Sequence, residues 1–393
     1  MLRSLADYLH CWARLLADAD GRKLIQAHAR PLPVAEAPSP EDIKGALGAA
    51  MDWVARAQDH SGDGGMGSLH LVRGWGRTYP ETTGYLIPTV LAAGERLGRT
   101  DLLDRAARAA DTLLALQRAD GGWQGGRVGE ERPSVVFNSA QVVRGMLAMH
   151  ARTGEQRFLD AAVRGGAWIV GVQEADGSWS RHNFMGAARV YDTYVDAPLL
   201  MLHRITGDPT MKEAALRNLA WVEGRQAANG WFADADNTEK HNERPIIHTL
   251  AYTMDGLAEC GALLEDDRWT AMAEAAARPL CDRFLEHGVL HGRYDRSWNG
   301  SEAFITTGGA QLAVAWQRLA RLGKDGLYAD AAARMRGLLV ALQARTAEGP
   351  PAARGGLTGS YPLWGRYEKF ACPNWATKYL ADALLCADGR TFC

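Results

Sequence analysis

A chain of 393 residues that is 47% hydrophobic can bury a large core. Its 44 Lys and Arg against 46 Asp and Glu leave a net charge of −2, and no basic run interleaved with aromatics occurs, which speaks against a nucleic-acid partner. No run of about 18 apolar residues is present, which excludes a helical membrane span. Cys11, Cys260, Cys281, Cys372, Cys386 and Cys393 form no C-x-x-C pair and have no His at zinc spacing, so they read as small apolar filler rather than a disulfide framework or a metal site.

Residues 1–26 are amphipathic, with Arg3, Asp7, Arg14, Asp18 and Asp20. They lack the uninterrupted apolar segment and small-residue cleavage site of a secretory signal, so the expected location is the cytoplasm. The predicted first helix ends near His28. Pro31, Pro33, Pro38 and Pro40 then forbid regular helix and predict an extended linker. Ser39-Pro40-Glu41-Asp42 starts the next helix well, with a cap, a first-turn proline and acids at the positive end of the dipole. Residues 1–40 are expected to form an N-terminal helix and linker, and 41–393 a single repeat domain.

The repeat is an apolar helix ending in Gln, followed by a Gly-rich turn with Trp. It reads Leu113-Leu-Ala-Leu-Gln117-Arg-Ala-Asp-Gly-Gly-Trp123, then Trp168 to Gln173 with Trp179, then Trp221 to Gln226 with Trp231. Weaker copies lie at Trp53 to Gln58 and Leu338 to Gln343, and a degenerate one without Gln at Leu280 to Gly288. The Gln positions are 59, 56, 53 and 117 residues apart, and the last step spans two periods. Six units of roughly 55–60 residues each hold two helices and their turns. One helical hairpin cannot bury its apolar face alone, so the units must pack side by side.

The second helix of each unit is predicted at Pro80 to Leu97, Val135 to Arg152, Val190 to Ile205, Pro245 to Leu264, Ala303 to Leu322 and Pro373 to Ala387. Several end in a basic residue followed by Gly, as at Arg96-Leu-Gly98 and Arg152-Thr-Gly154, the usual C-terminal stop. Their Ala-, Leu- and Met-rich bodies suit a buried inner ring. The Q-x-x-D-G-x-W copies resemble the QW-type repeats of terpenoid cyclases, and the layout resembles six-hairpin glycosidases. Over about residues 45–390 this resemblance implies an all-α fold, an (α/α)6 toroid with an N-terminal helical extension. Toroids of this shape host unrelated chemistries, so activity must be argued from a site.

The first turns of the inner helices are polar or aromatic in every unit. They carry Tyr79, Glu81 and Tyr85; Asn138 and Gln141; Tyr191, Asp192 and Tyr194; His248 and Tyr252; Thr306, Thr307 and Gln311; and Asn374, Trp375 and Lys378. Thr, Asn and Asp at helix starts commonly cap free N–H groups, an explanation that does not reach Tyr85, Gln141, Tyr194, Tyr252 or Lys378. In a ring these turns converge on one mouth, the expected binding site. His248 and Tyr252 share a helix face and could act as base and acid in proton abstraction beside a carboxylate or carbonyl. Glu81 and Asp192 are the acid/base carboxylate candidates, their separation unreadable from sequence. Arg189, Arg244 and Lys378, with Arg73 and Arg77, could hold an anionic substrate. The alternatives are a core His and solvated surface cations.

Asp234-Ala-Asp236-Asn237 invites comparison with the D-x-D-D acid motif of class II terpenoid cyclases, but the fourth position is Asn and the segment follows a repeat turn, so it reads as a loop. Neither the diphosphate-binding nor the zinc-binding set of the prenyl-group enzymes is recognisable. The favoured function is therefore a carbohydrate-active enzyme on an acidic or uronate-containing glycan, an epimerase, lyase or hydrolase, with a small-molecule or oligosaccharide substrate and no cofactor or metal. Tyr79, Tyr85, Tyr194 and Trp375 would stack on sugar rings. The stretches Tyr79 to Tyr85 and Pro245 to Tyr252 are also similar to uncharacterised toroid proteins associated with polysaccharide production. The alternatives are a terpenoid or prenyl-group enzyme and a non-catalytic glycan- or protein-binding toroid. The oligomeric state is left open.

Overall fold

The computed structural model describes residues 2–388. The predicted N-terminal helix is two helices, α1 (Leu2–Ala17) and α2 (Ala19–Ala29). The break has a local cause: the Asp18 side chain accepts from Gly21 N at 2.8 Å and so caps a new helix. Residues 31–39 carry no regular structure and run over a later helix at Gly337, where a Cβ would come within 1.6 Å of the Glu36 carbonyl oxygen.

Ser39 and Asp42 then close a reciprocal capping box and start α3 (Pro40–Ser61). From there outer and inner helices alternate. The outer ones are α3, α5 (Thr100–Leu116), α7 (Gln156–Gly171), α9 (Pro209–Glu223), α11 (Asp267–His287) and α13 (Leu327–Thr346). The inner ones are α4 (Pro80–Leu97), α6 (Val136–Thr153), α8 (Thr193–Thr206), α10 (Ile247–Leu264), α12 (Thr306–Arg321) and α14 (Asn374–Leu385). Each inner helix packs on the next, and α14 returns to α4, so the ring is closed. Close approach depends on glycine: a Cβ on Gly145 would meet the Gly84 carbonyl oxygen at 2.4 Å. Gly98, Gly154 and Gly207 end α4, α6 and α8 at φ of 67°, 73° and 76°, the left-handed stop that the basic-residue-then-Gly pattern predicts.

The repeated Gln is a clamp. Its side-chain amide donates to its own Gly-rich turn and to a backbone carbonyl of the next outer helix. Gln117 reaches Gly121 O and Ala161 O, both at 2.9 Å, and Gln173 reaches Gly177 O and Ala214 O, again at 2.9 Å. Gln58 and Gln226 repeat the pattern on Arg105 O and Met272 O. Gln343 closes the circle by bonding Ala46 O at 3.1 Å, on the first outer helix. Two of the repeat tryptophans are buried pegs: Trp123 donates to Leu113 O at 2.7 Å and Trp179 to Ile169 O at 2.9 Å.

The N-terminal helices do not join the ring. Cys11, Leu15 and Leu24 pack with Leu363 and Phe370 in a second small core, and the Trp12 ring lies 5.1 Å from that of Trp364. They therefore brace the loop of residues 361–371. Cys11, Cys260, Cys281 and Cys372 are buried and free, as filler should be, whereas Cys386 is disulfide-bonded, against that expectation. No described helix is long and apolar enough to cross a membrane.

Candidate active site

The inner helices all start at one end of the barrel, where a cavity of about 290 Å³ opens. None of the six inner helices has a side-chain N-cap bond, so capping does not explain their polar first turns. Some of those groups pin the repeat turns instead. Thr83, Ser139 and Thr377 accept from the backbone N–H of Met66, Trp123 and Leu357 at 2.9, 2.9 and 3.1 Å. Asn374 belongs with them: its amide donates to Met66 O and Thr82 Oγ1 at 3.1 and 2.8 Å, tying the last unit to the first.

Tyr79, Glu81, Tyr85, Asn138, Tyr191, His248, Tyr252 and Trp375 face the cavity. Glu81 is the central carboxyl. Burial raises it to about 7, and a hydrogen bond from Tyr79 opposes part of that rise. Its charge is felt at Tyr85, Tyr191, Tyr252 and Tyr367 as well as Tyr79, so phenols surround it. The His248 ring lies 4.7 Å from that of Tyr252 and 5.5 Å from that of Tyr367. Its Nδ1 meets Gln311 Oε1 at 2.6 Å. Burial lowers His248 to about 4, against the opposing effect of that bond. At neutral pH the ring is therefore uncharged, Nδ1 donates to Gln311, and Nε2 is its basic nitrogen.

Loops complete the mouth with residues the inner-helix pattern did not single out. Arg127, Glu130 and Arg132 come from the loop between Trp123 and α6, Asn237 and Thr238 from the loop before α10, and Tyr367 and Glu368 from the loop before α14. Phe137 and Phe184 add apolar surface. Arg132 pairs with Glu130 at 2.9 Å, and Arg127 stands 3.9 Å from it. Glu368, at φ 45°, is raised by burial and lowered by the Arg127 charge. The readable signal for these loops was length: residues beyond what a turn needs, on one side of a repeat array, commonly form the binding face.

Other candidates lie elsewhere. Asp192 is buried and accepts from Asn183 Nδ2 at 2.6 Å, its second oxygen unpartnered. Burial holds its carboxyl well above the usual range, with the Arg189 charge opposing. Arg189 itself is buried and donates to Lys240 O at 2.9 Å, so it fastens a loop. Gln141 donates to Tyr194 O at 3.2 Å. Arg244 lies on an outer groove. Asp236, in the loop read against the cyclase motif, accepts from Thr238 N, Glu239 N and Ile246 N and pairs with Arg293 at 2.7 Å, so it organises that loop.

Tyr194 and Lys378 line a second chamber of about 430 Å³, lower down the same helices. The rings of Tyr85 and Tyr252, each 5.7 Å from that of Tyr379, form the partition between the two spaces. Below it Lys378 pairs with Asp382 at 2.6 Å, Arg318 with Asp255 at 2.8 Å, and Arg144 with both oxygens of Glu259 at 2.8 Å. The expected role of Lys378 as an anion holder at the mouth does not fit this placement, because the tyrosine layer stands between. No group of three or more His, Cys, Asp or Glu poised to hold a metal ion occurs among the described residues.

The ring of hairpins and its polar mouth define the class of architecture, the six-hairpin (α/α)6 toroid. No protein-family model matches the chain, and no curated protein matches it by sequence. Solved structures do match by shape. An unsaturated glucuronyl hydrolase from Bacillus sp. GL1, described as responsible for glycosaminoglycan degradation, superimposes with a TM-score of 0.69 at 15% identity, over 88% of this chain and 97% of that one. An unsaturated glucuronyl hydrolase specific for heparin gives 0.67 at 14% identity, over 89% and 98%. A variant of the Streptococcus agalactiae enzyme complexed with dGlcA-GalNAc6S gives 0.65 at 10% identity, over 92% and 98%. At such identities the likeness establishes the fold, not the reaction.

Proposed function

We propose that this protein is a carbohydrate-active hydrolase that cleaves a uronate-containing glycan at the mouth of its barrel. Glu81 carries the reading. A carboxyl raised to about 7 keeps a proton to deliver near neutrality, as a general acid must. In the proposed reaction Glu81 protonates the oxygen that leaves, and water adds to the sugar carbon. The neutral His248, through Nε2, takes the proton that the water releases. Tyr79, Tyr85 and Trp375 offer faces to the sugar ring. Arg127 and Arg132 meet its carboxylate as charged donors.

The structural neighbours named as unsaturated glucuronyl hydrolases support this choice over epimerase or lyase chemistry. The charged rim of Arg127, Glu130, Arg132 and Glu368 weighs against the terpenoid alternative, which calls for an apolar cavity. The test is turnover of oligosaccharides ending in an unsaturated or saturated uronate, followed by chromatography of the released sugar. Turnover by the wild type and its loss in Glu81→Gln are expected. A Glu81→Gln protein that binds and cleaves equally well would remove Glu81 from the chemistry. Binding with no cleavage by either protein would favour the non-catalytic toroid.

A further inference from the structure

A second depression, about 530 Å³ in volume, lies beside the mouth and is lined by Glu239, Arg244, Arg293, Glu302, Trp364 and Arg366 among others. Chain continuity joins the two. Thr238 faces the mouth and Glu239 the groove; Tyr367 and Glu368 face the mouth and Arg366 the groove. The same two loops thus wall both the mouth and the groove.

The groove's charges are unevenly engaged. Arg293 is fully committed, to Asp236 Oδ2 and Thr238 Oγ1 at 2.7 Å and to Arg244 O at 2.8 Å. Glu302 serves two cations at once, Arg366 at 2.9 Å and Arg293 at 3.3 Å. Asp236 and Glu302 together balance Arg293 and Arg366, and Glu302 engages Arg366 through Nη1. Arg366 keeps a 78% exposed side chain, and Arg244 is 57% exposed and 4.0 Å from Asp295. Both thus retain free N–H groups for an anion. Trp364 is half-buried beside them, its ring steadied by Trp12. A braced indole next to two open guanidiniums suits a sugar ring that carries a carboxylate or sulfate.

We infer that the groove is a second glycan subsite, holding an anionic sugar further along a chain whose end occupies the mouth. This rests on the glycan reading above, and it makes the substrate longer than a disaccharide. The test is titration calorimetry of the intact protein with dGlcA-GalNAc6S and with the tetrasaccharide that extends it by one disaccharide unit. The tetrasaccharide is expected to bind about tenfold more tightly, with an advantage that shrinks as salt rises. Arg366→Ala is expected to weaken the tetrasaccharide about fivefold and leave the disaccharide unchanged, with partial recovery in Arg366→Lys. Trp364→Ala, its fold checked by circular dichroism, is expected to act in the same selective way. Equal affinity for both sugars, no tetrasaccharide binding, or no effect of Arg366→Ala would overturn the subsite. Arg366-dependent tetrasaccharide binding without cleavage of any glycan would uphold the subsite and remove only the hydrolase reading.

Discussion

His248 Nδ1 and Gln311 Oε1 meet at 2.6 Å across two neighbouring inner helices. This contact orients the ring and directs its basic nitrogen away from Gln311. Folding takes His248 from an ordinary value of 6.5 down to about 4. Between those values the unfolded chain binds the proton that the native state rejects. The stability from burying a neutral ring is thus complete above about pH 6.5 and declines as pH falls toward about 4. Gln311→Glu places a carboxylate against Nδ1–H and favours the imidazolium, so the His248 titration should move upward. Proton NMR of the histidine rings, identified by comparison with His248→Ala, reads the shift. An unmoved titration would mean that Gln311 does not control this ring.

Glu81 runs the opposite way. Its carboxyl rises from 4.5 to about 7, so the native state holds a proton that the unfolded chain has lost. Native stability therefore falls as pH rises through that window, and above about pH 7 the buried charge costs on the order of 3 kcal/mol. Glu81→Gln removes that cost. Urea unfolding should show the variant more stable than wild type at about pH 8.5 and equal to it near pH 4. With Glu81 needed protonated and His248 needed neutral, the rate should climb with pH through about 4 and fall through about 7. A rate still rising past pH 8 would reverse the assigned role of Glu81.

The ring was legible because its signals are periodic. The Gln spacing and the terminal glycines such as Gly98 and Gly154 recur once per unit and have local causes. The mouth was half legible. Tyr79, Glu81, Tyr191, His248 and Trp375 lie where helix starts converge, and helix starts can be placed from sequence. Arg127, Glu130, Arg132 and Glu368 were missed because loops carry no period, and their positions depend on contacts distant in the chain. Residues one turn deeper were misplaced for another reason. Tyr194 stands in the first turn of α8 just after Tyr191, and Lys378 follows Trp375 by three residues along α14. Along α14 that is about 4.5 Å of rise, enough to cross a one-residue layer of tyrosine rings that only the assembled barrel contains.

The Gln clamps make the repeat's stability testable. Gln343 is the ring closure, donating to Gly355 O at 2.8 Å and Ala46 O at 3.1 Å. Gln343→Ala strands two carbonyls without their donor and should destabilise by about 2–3 kcal/mol. Gln173→Ala, in mid-ring, should lose a similar amount, since its two bonds have the same partners in kind. Urea midpoints of both variants give the comparison. A loss confined to Gln343 would mean that closure of the ring, and not the clamp itself, sets stability.

Lys378 offers the sharpest contrast between a binding and a structural role. Burial lowers its ammonium while Asp382 opposes the shift, and burial raises the Asp382 carboxyl while Lys378 opposes it. The pair is 2.6 Å apart with both side chains 4% exposed. Its ammonium also lies 3.7 Å from the Tyr379 ring centroid and 4.6 Å from that of Tyr85. Lys378→Ala leaves Asp382 buried with only Thr89 Oγ1, at 2.6 Å, as a partner, and should cost about 3–5 kcal/mol. Lys378→Met combined with Asp382→Leu removes both charges and should recover most of that loss, because the desolvation of each ion disappears with it. Glycan affinity of the double variant should equal that of wild type, since the tyrosine layer separates the pair from the mouth. Weakened glycan binding in a fully stable double variant would instead bring Lys378 into the substrate site.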